Sequence, residues 1–339
     1  MPENMMHQGE HKSDQTDLTV IIVSYNSCTV LFHCIDSIFH FSEGLAIQII
    51  VSDNASKDGT AVTLQQEYPS VTFIQNGENL GFAAANNRAL AFAKGRYILF
   101  LNPDTLLFEA IFRKMIDFLD THPDAGILGC TLLNPDETIQ KSYFDTLPTL
   151  TNRFFEALYL EKFFDRHNYS LRVKERRQVA ALVGACILIS RTLAERLHGF
   201  DESFFMYCED MDLSCRVRTL GYAVYYLGDI ALYHIQGVCG RTKQSYFEKV
   251  MTKESVYCYF LKHSGQTKAS IYKFSMAVAS LFRLFVLFTW VPLSKMFGRR
   301  YDFHYRNSIR KYLHVLAWGC GLERWTKKAG HLPAITCTD

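Results

Sequence analysis

The sequence predicts an α/β fold, an open and mostly parallel sheet flanked by helices, followed by a helical carboxyl-terminal region. Three observations predict it. Short apolar or β-branched runs begin at Leu18, Ile47, Val71 and Ile98, and the stretches between them carry a helical apolar period. The runs end in small polar or acidic residues, namely Ser24-Tyr25-Asn26, Ser52-Asp53-Asn54 and Asn102-Pro103-Asp104. In open α/β sheets that edge is where ligands bind. A long apolar stretch, Ile271 to Leu293, then stands apart from the sheet pattern.

Leu18 to Asn26 reads as a central strand, and no G-x-G-x-x-G follows it, which speaks against a dinucleotide-binding start. Thr29 to Phe41 has apolar residues at Val30, Leu31, Cys34, Ile35 and Ile38, one face of a helix. The second strand, Ile47 to Val51, leads to Asp53, whose carboxylate could accept the imide N–H of a uracil or thymine ring or could cap a turn. After the third strand, Val71 to Gln75, Gly81 and a run of alanines let a helix start close against backbone or ligand, with Asn87 and Arg88 in its first turns as a possible phosphate cradle. The fourth strand, Ile98 to Leu101, is stopped by Pro103, so Asp104 faces a cleft as a metal or phosphate contact or closes an ordinary turn. The alternation places Asp53 and Asp104 at one edge of one sheet.

Further on, Glu109 to Asp120 reads as a helix, Gly126 to Leu133 as a strand, and Thr149 to Arg177 as mainly helix. The small residues Gly184-Ala185-Cys186 allow close approach to the backbone. Ala223 to Tyr226 and Ile230 to Tyr233 read as two short strands, the second ending in His234, and Arg241 and Lys243 follow in a loop able to reach an anionic leaving group.

With 339 residues, 48% of them hydrophobic, the chain buries a large core and exceeds a typical single domain. A net charge of +2 gives nucleic-acid binding no support. Ten cysteines without a C-x-x-C pair argue against a zinc site and fit a reducing compartment. Met1 to Asp17 is polar and is expected to be a disordered tail.

A second acidic constellation runs from Gly199 to Arg216. Leu213, Val217 and Leu220 give a helical apolar face, and Asp212 with Arg216 has the i, i+4 spacing of an ion pair. Glu209 and Asp210 fall at that helix's amino end, where the dipole alone favours carboxylates. The functional alternative is a general base, an ionised Asp210 with its pKa depressed by the helix end. Beside acidic ligands, the imidazole of His234 suits manganese or magnesium.

Taken together, Val23-Ser24-Tyr25-Asn26, Asp53-Asn54-x-Ser56-x-Asp58-Gly59, Asn79-x-Gly81-Phe82-x-x-x-Asn86-Asn87, Leu101-Asn102-Pro103-Asp104 and the Gly199-Phe200-Asp201-Glu202 to Glu209-Asp210-x-Asp212-Leu213 stretch resemble glycosyltransferase family 2, in its bacterial rhamnosyltransferase-like branch. Five ordered motifs between Leu18 and Arg241 carry the resemblance. It implies a GT-A fold, inversion at the anomeric carbon, and a dTDP- or UDP-sugar donor held by Ser24, Tyr25, Asn26, Asp53, Asn54, Gly81, Asn87, Arg88, Asn102 and Arg241. It also implies a divalent ion, Mg2+ or Mn2+, on Asp104 and His234, and Asp210 as base beside Glu209. Asn102 replaces the first acidic residue of the family's DXD element, Glu137 stands where a turn glycine is common, and Cys239 where serine is frequent.

The resemblance and the apolar stretch together imply a lipid-linked glycan acceptor. Lys273 and Arg283 interrupt Ile271 to Leu293, and a basic flank follows with Lys295, Arg299, Arg300, Arg306, Arg310, Lys311, Arg324, Lys327 and Lys328. If the helix crossed the bilayer, that flank would lie opposite the catalytic domain, against the positive-inside tendency. An in-plane helix on an anionic, cytoplasmic membrane surface is therefore expected, with residues 18–262 catalytic and 263–339 membrane-associating. Arg324-Trp325 lacks the glutamine that precedes such a pair in processive synthases, since position 321 is glycine, and a single-addition enzyme is expected. Two rivals remain: a sugar-phosphate nucleotidyltransferase, whose Gly-rich basic loop is missing after the first strand, and a non-catalytic nucleotide-sugar-binding scaffold, which has no need of Asp104, Glu209, Asp210 and His234 together.

Overall fold

The computed structural model describes residues 16–42, 44–157, 175–235, 247–296 and 303–323. Strands and helices alternate at first: β1 (Leu18–Ser24), α1 (Cys28–His40), β2 (Ile47–Asp53), α2 (Thr60–Glu67), β3 (Thr72–Gln75), α3 (Gly81–Leu90) and β4 (Tyr97–Leu101). Every residue of β1 and β4 is buried, as near-continuous apolar runs require when helices cover both faces. β1 pairs in parallel with both β2 and β4, and β2 with β3. The spatial order β3-β2-β1-β4 means that the chain builds outward on one side of β1 and then crosses to the other. This reversal opens a crevice beyond the carboxyl ends of β1 and β4, between Ser24 and Asn102.

The second half adds β5 (Thr105–Leu106), α4 (Phe112–Thr121), β6 (Ala125–Leu133), β7 (Tyr143–Phe144), α5 (Leu150–Ala157), β8 (Arg176–Gln178), β9 (Ala181–Leu182), β10 (Cys186–Ser190), α6 (Arg191–Arg196), α7 (Glu209–Thr219) and β11 (Ala223–His234). The main sheet continues β4-β10-β6-β11-β5, with β10 antiparallel to both neighbours and β6 parallel to β11. The two short strands expected at 223–226 and 230–233 form one strand. A bulge between Leu227 and Ala231 absorbs Gly228-Asp229, and the pairing with β6 resumes beyond it. Of the helix expected over Thr149 to Arg177, Leu150–Ala157 is helical and 158–174 lies outside the described residues.

Alternate residues of β1 feed different cores. Val20 and Ile22 pack on α1 and α4, whereas Ile21 joins Ala83, Phe100, Phe200 and Leu213 on the other face. A third core joins Phe204, Cys208 and Met211 to α8 (Phe247–Met296). That helix is broken at Gly265, where φ is 85° and ψ 168°. Beyond the break, Tyr272, Met276 and Ala279 pack with Val315 and Trp318 of α9 (Phe303–Gly319). The opposite face of α8 exposes Phe274, Val278, Leu281, Phe282, Phe285 and Phe288. By length and composition this helix is able to cross a membrane.

Candidate active site

Two acidic clusters meet at the carboxyl edge of the sheet. In the first, β5 pairs with the end of β11, setting His234 opposite Thr105, and the Ile235 N–H donates to the Asp104 carbonyl. His234 Nε2 thereby comes 3.3 Å from Asp104 Oδ1, with Asn102 Nδ2 donating to the same nitrogen across 3.2 Å. Both Asp104 and His234 are buried. The pairing of β5 with β11 thus brings together residues 130 positions apart, as the motif reading required.

Gln140 completes this cluster and was not anticipated from the sequence. Its Nε2 donates to the His234 carbonyl at 2.5 Å and to Asn134 Oδ1 at 2.8 Å, so its Oε1 is left to accept from His234 Nδ1 at 2.9 Å. With the ring proton held at Nδ1, the Nε2 lone pair accepts from Asn102 Nδ2, a contact that a metal would displace, and lies beside Asp104 Oδ1. A carboxylate oxygen and an imidazole lone pair facing each other is a donor set suited to a hard or borderline divalent ion, with further positions left to phosphate oxygens and water. No group of three or more His, Cys, Asp or Glu side chains able to hold a metal occurs among the described residues. Gln140 follows the Asn134-Pro135-Asp136-Glu137 turn, and the one available signal was its place just after a turn at a strand end. Glu137, where a glycine is common, adopts the left-handed φ of 66° that explains that preference.

The second cluster sits at the start of α7. Tyr207 and Cys208 both take left-handed backbone, at φ 71° and 67°, and aim the first turn of α7 at the sheet edge. Asp210 Oδ2 accepts from Gly184 N–H at 2.9 Å and Oδ1 from Met211 N–H at 2.7 Å. The helix-end argument for a depressed Asp210 pKa is overturned, because burial raises it to about 6 against those two N–H donors. Glu209 is buried, and its Oε2 has no hydrogen-bond partner among the described residues. Burial, followed by the charge of Asp210, pushes Glu209 well above the usual carboxylate range. Of the two neighbouring carboxyls, Glu209 thus has the more strongly disfavoured charged form, and Asp210 is the one whose oxygens are held by backbone N–H donors.

The clusters are joined through the two residues that precede β10. Gly184 N–H holds Asp210, and the next residue, Ala185, accepts from Asn102 N–H through its carbonyl at 3.0 Å. The small run Gly184-Ala185-Cys186 does admit a close neighbour, and that neighbour is Asp210.

Other expected contacts have structural partners instead. The cradle at the start of α3 is closed: the N–H groups of Leu80, Gly81 and Phe82 donate to Asn54 Oδ1, Asn79 Oδ1 and the Phe205 carbonyl. Gly81 is required by protein backbone, since a Cβ there would lie 2.3 Å from the Phe205 oxygen. Asn87 grips the backbone of Phe200 on both sides, accepting from its N–H at 2.8 Å and donating to its carbonyl at 2.7 Å. Arg88 is exposed on the outer side of α3. Asn54 is engaged by Asn76 and the Gly81 carbonyl. Asp53 has no exposed surface, and its two oxygens accept from Ser56 Oγ and N–H, so it closes a turn and does not face a base. Sequence spacing could not show the contacts of Gly81, Phe82 and Asn87 with Phe200 and Phe205, because they link α3 to a loop more than a hundred residues later.

At the end of β1, Ser24 is buried against Ser27, whereas Tyr25 and Asn26 are half-buried beside the crevice, Asn26 at φ 49°. Asp212 and Arg216 form the expected ion pair at 2.7 Å. Arg241, Lys243, Cys239 and the basic residues at 299, 300, 324, 327 and 328 lie outside the described residues.

The family model of glycosyl transferase family 2 matches residues 19–197, more than half of the chain. The chain belongs to this family. Among its relatives is the N-acetylglucosaminyl-diphospho-decaprenol L-rhamnosyltransferase of Mycobacterium tuberculosis, 28% identical over 273 residues, which span 75% of this chain and 87% of the relative. Rhamnosyltransferase WbbL of Escherichia coli is 27% identical over 60% of this chain and 76% of its own. The fold matches that of the mannosyltransferase PcManGT of Pyrobaculum calidifontis, solved with GDP-Man and Mn2+, at a TM-score of 0.54 and 15% identity over 91% of this chain and 88% of that one. It also matches GalNAc-T7, solved with UDP, GalNAc and Mn2+, at a TM-score of 0.52 and 14% identity over 76% of this chain and 52% of that one. The GT-A architecture and glycosyltransferase membership expected from the five motifs are thus borne out. Asp210 and His234 lie beyond the family-model match.

Proposed function

We propose that this family 2 enzyme inverts a sugar centre, moving rhamnose or a similar hexose from a dTDP- or UDP-sugar to a hydroxyl of a lipid-linked glycan in cell-surface polysaccharide synthesis. The rhamnosyltransferase relatives support the sugar and acceptor class. The observation that carries the mechanism is the Gly184-Ala185 link, which fixes a base and a diphosphate-side cluster to consecutive residues.

The donor's nucleotide belongs in the crevice beyond β1 and β4, beside Tyr25, Asn26 and Asn102. Asp104 Oδ1 and His234 Nε2 would hold a divalent ion, whose chemistry is to neutralise the charge gathering on the departing diphosphate. Asp210 accepts the acceptor hydroxyl's proton as that oxygen attacks in line, and a pKa near 6 makes it a stronger base than an ordinary aspartate while leaving it ionised at neutral pH. The Gly184 and Met211 N–H groups orient its two oxygens. Burial and the neighbouring Asp210 charge disfavour ionisation of Glu209 beside it.

We divide the chain at 262/263, close to the break at Gly265, and place the exposed apolar face of α8 in the plane of an anionic cytoplasmic membrane surface. Arg306 and Arg310, exposed on the neighbouring α9, supply positive charge for the headgroups. Asp210→Asn tests the central assignment. Transfer should fall about 10³-fold while calorimetric binding of the nucleotide-sugar with Mn2+ is kept, and substantial residual turnover would sink it.

A further inference from the structure

Away from the sheet edge, on the side of α7 that faces α8, Cys215 lies with its sulfur 3.5 Å from His263 Nδ1. His263 Nε2 in turn lies 2.8 Å from Asp212 Oδ1. The Tyr259 ring stands 4.6 Å from the imidazole. Both nitrogens of His263 thus face acceptors, one a carboxylate and the other a sulfur, which is the arrangement that holds two ring protons.

The surrounding charges agree. Facing the pair are Asp212 and Arg216 from α7, Lys262 and Tyr259 from α8, and Asp201 from the loop before α7. Lys262 bridges Asp201 and Asp212 at 2.5 and 2.7 Å, and Arg216 Nε bonds Asp212 at 2.7 Å. Two carboxylates are already matched by two permanent cations. The proton that makes His263 an imidazolium therefore lacks a counter-charge unless the sulfur supplies it. Hydrogen bonds to Asp212 and then Cys215 raise His263 to about 9, and the His263 hydrogen bond is the first cause lowering Cys215. Cys215 is also half-exposed, whereas Cys34, Cys130, Cys186 and Cys208 are buried.

We propose that Cys215 is held as a thiolate by His263 and is the site at which hydroperoxides oxidise this protein to a sulfenic acid. The thiolate sulfur attacks one peroxide oxygen, forming an S–O bond as the O–O bond breaks. Sulfur loses two electrons to the peroxide, and the departing hydroxide takes the Nδ1 proton of His263 and leaves as water. None of these groups takes part in sugar transfer, so the site stands or falls apart from the glycosyltransferase mechanism.

The test uses the intact chain with sub-stoichiometric hydrogen peroxide and dimedone at pH 6, read by peptide mass spectrometry. The adduct should favour Cys215 over exposed Cys320 by about tenfold or more, because an ordinary thiol of pKa about 8.5 keeps well under one part in a hundred as thiolate there. Iodoacetamide labelling of Cys215 should stay nearly flat from pH 8 to pH 6, and His263→Gln should restore a steep fall of about tenfold per pH unit. Should His263→Gln fail to fold, the wild-type comparison with Cys320 still decides. A Cys215 profile parallel to that of Cys320, or dimedone shared evenly between them, would overturn the proposal.

Discussion

Asp210 and Asp212 stand two residues apart in the first turn of one helix and feel the same helix end, yet burial raises one to about 6 while the other is held at about 2. The dipole acts on both alike, so their partners make the difference. Asp210 meets backbone N–H groups and no cation, and burial leaves it the more basic of the two. Asp212, wholly buried, gathers Arg216, Lys262 and His263 and fastens α8 to α7. A cluster of carboxylates at a helix start thus divides into one that meets no cation and one that holds two helices together, according to which long-range elements reach each.

Exchanging the two by mutation should break the comparison most visibly. Whereas Asp210→Asn should stop transfer and leave urea stability unchanged or higher, Asp212→Asn should destabilise the fold by about 3–5 kcal/mol, because the buried carboxylate that ties Arg216, Lys262 and His263 together loses its charge. Equal losses of stability in both variants would erase the distinction. The pH dependence sharpens it next. A base must be deprotonated to act, so kcat/KM should rise with pH through an inflection near 6 and level off above it. Stability runs oppositely for the two groups. The raised Asp210 favours the fold at low pH and loses that contribution as pH rises through about 6, while the depressed Asp212 contributes above 3.8 and loses its share as pH falls toward about 2.

A smaller effect is expected at the diphosphate side. Gln140→Leu removes the acceptor that fixes His234, and Mn2+ affinity in the presence of nucleoside diphosphate should weaken about 10–100-fold, with the inflection near pH 6 unmoved. A shifted inflection would show that the two clusters are not separable. The least effect falls at the exposed turn, where Glu137→Gly relieves a left-handed backbone and should add about 0.5 kcal/mol in urea unfolding without altering transfer.

Most of the sheet was legible because buried parallel strands write themselves as apolar runs, and the acidic motifs sat at their ends. Asp104, His234 and Asp210 could be singled out because strand ends and helix starts are local signals. What failed was everything fixed by distant chain. Asn87 and Gly81 read as a ligand cradle because nothing nearby claims them, and their partners are Phe200 and Phe205. Asp53 is a local case, left open between a base contact and a cap, and Ser56 three residues on takes both its oxygens. The pKa of Asp210 was misjudged in sign because a helix end is visible in sequence and burial is not. His263, which falls where a domain boundary was expected, gave no hint of Cys215.

The lead into β10 behaves as a gauge of fixed width. Two consecutive residues hold Asp210 on one side and the Asn102 end of β4 on the other, with a single peptide unit between the two gripping groups, so the chain has no slack in the gap between them. Lengthening the chain by one residue between Gly184 and Ala185 would widen that gap by a full residue's rise, about 3.3 Å. Such an insertion should be ruinous there and harmless in the Asp136-Glu137 turn, which makes this unremarkable pair of small residues the least extensible point of the chain.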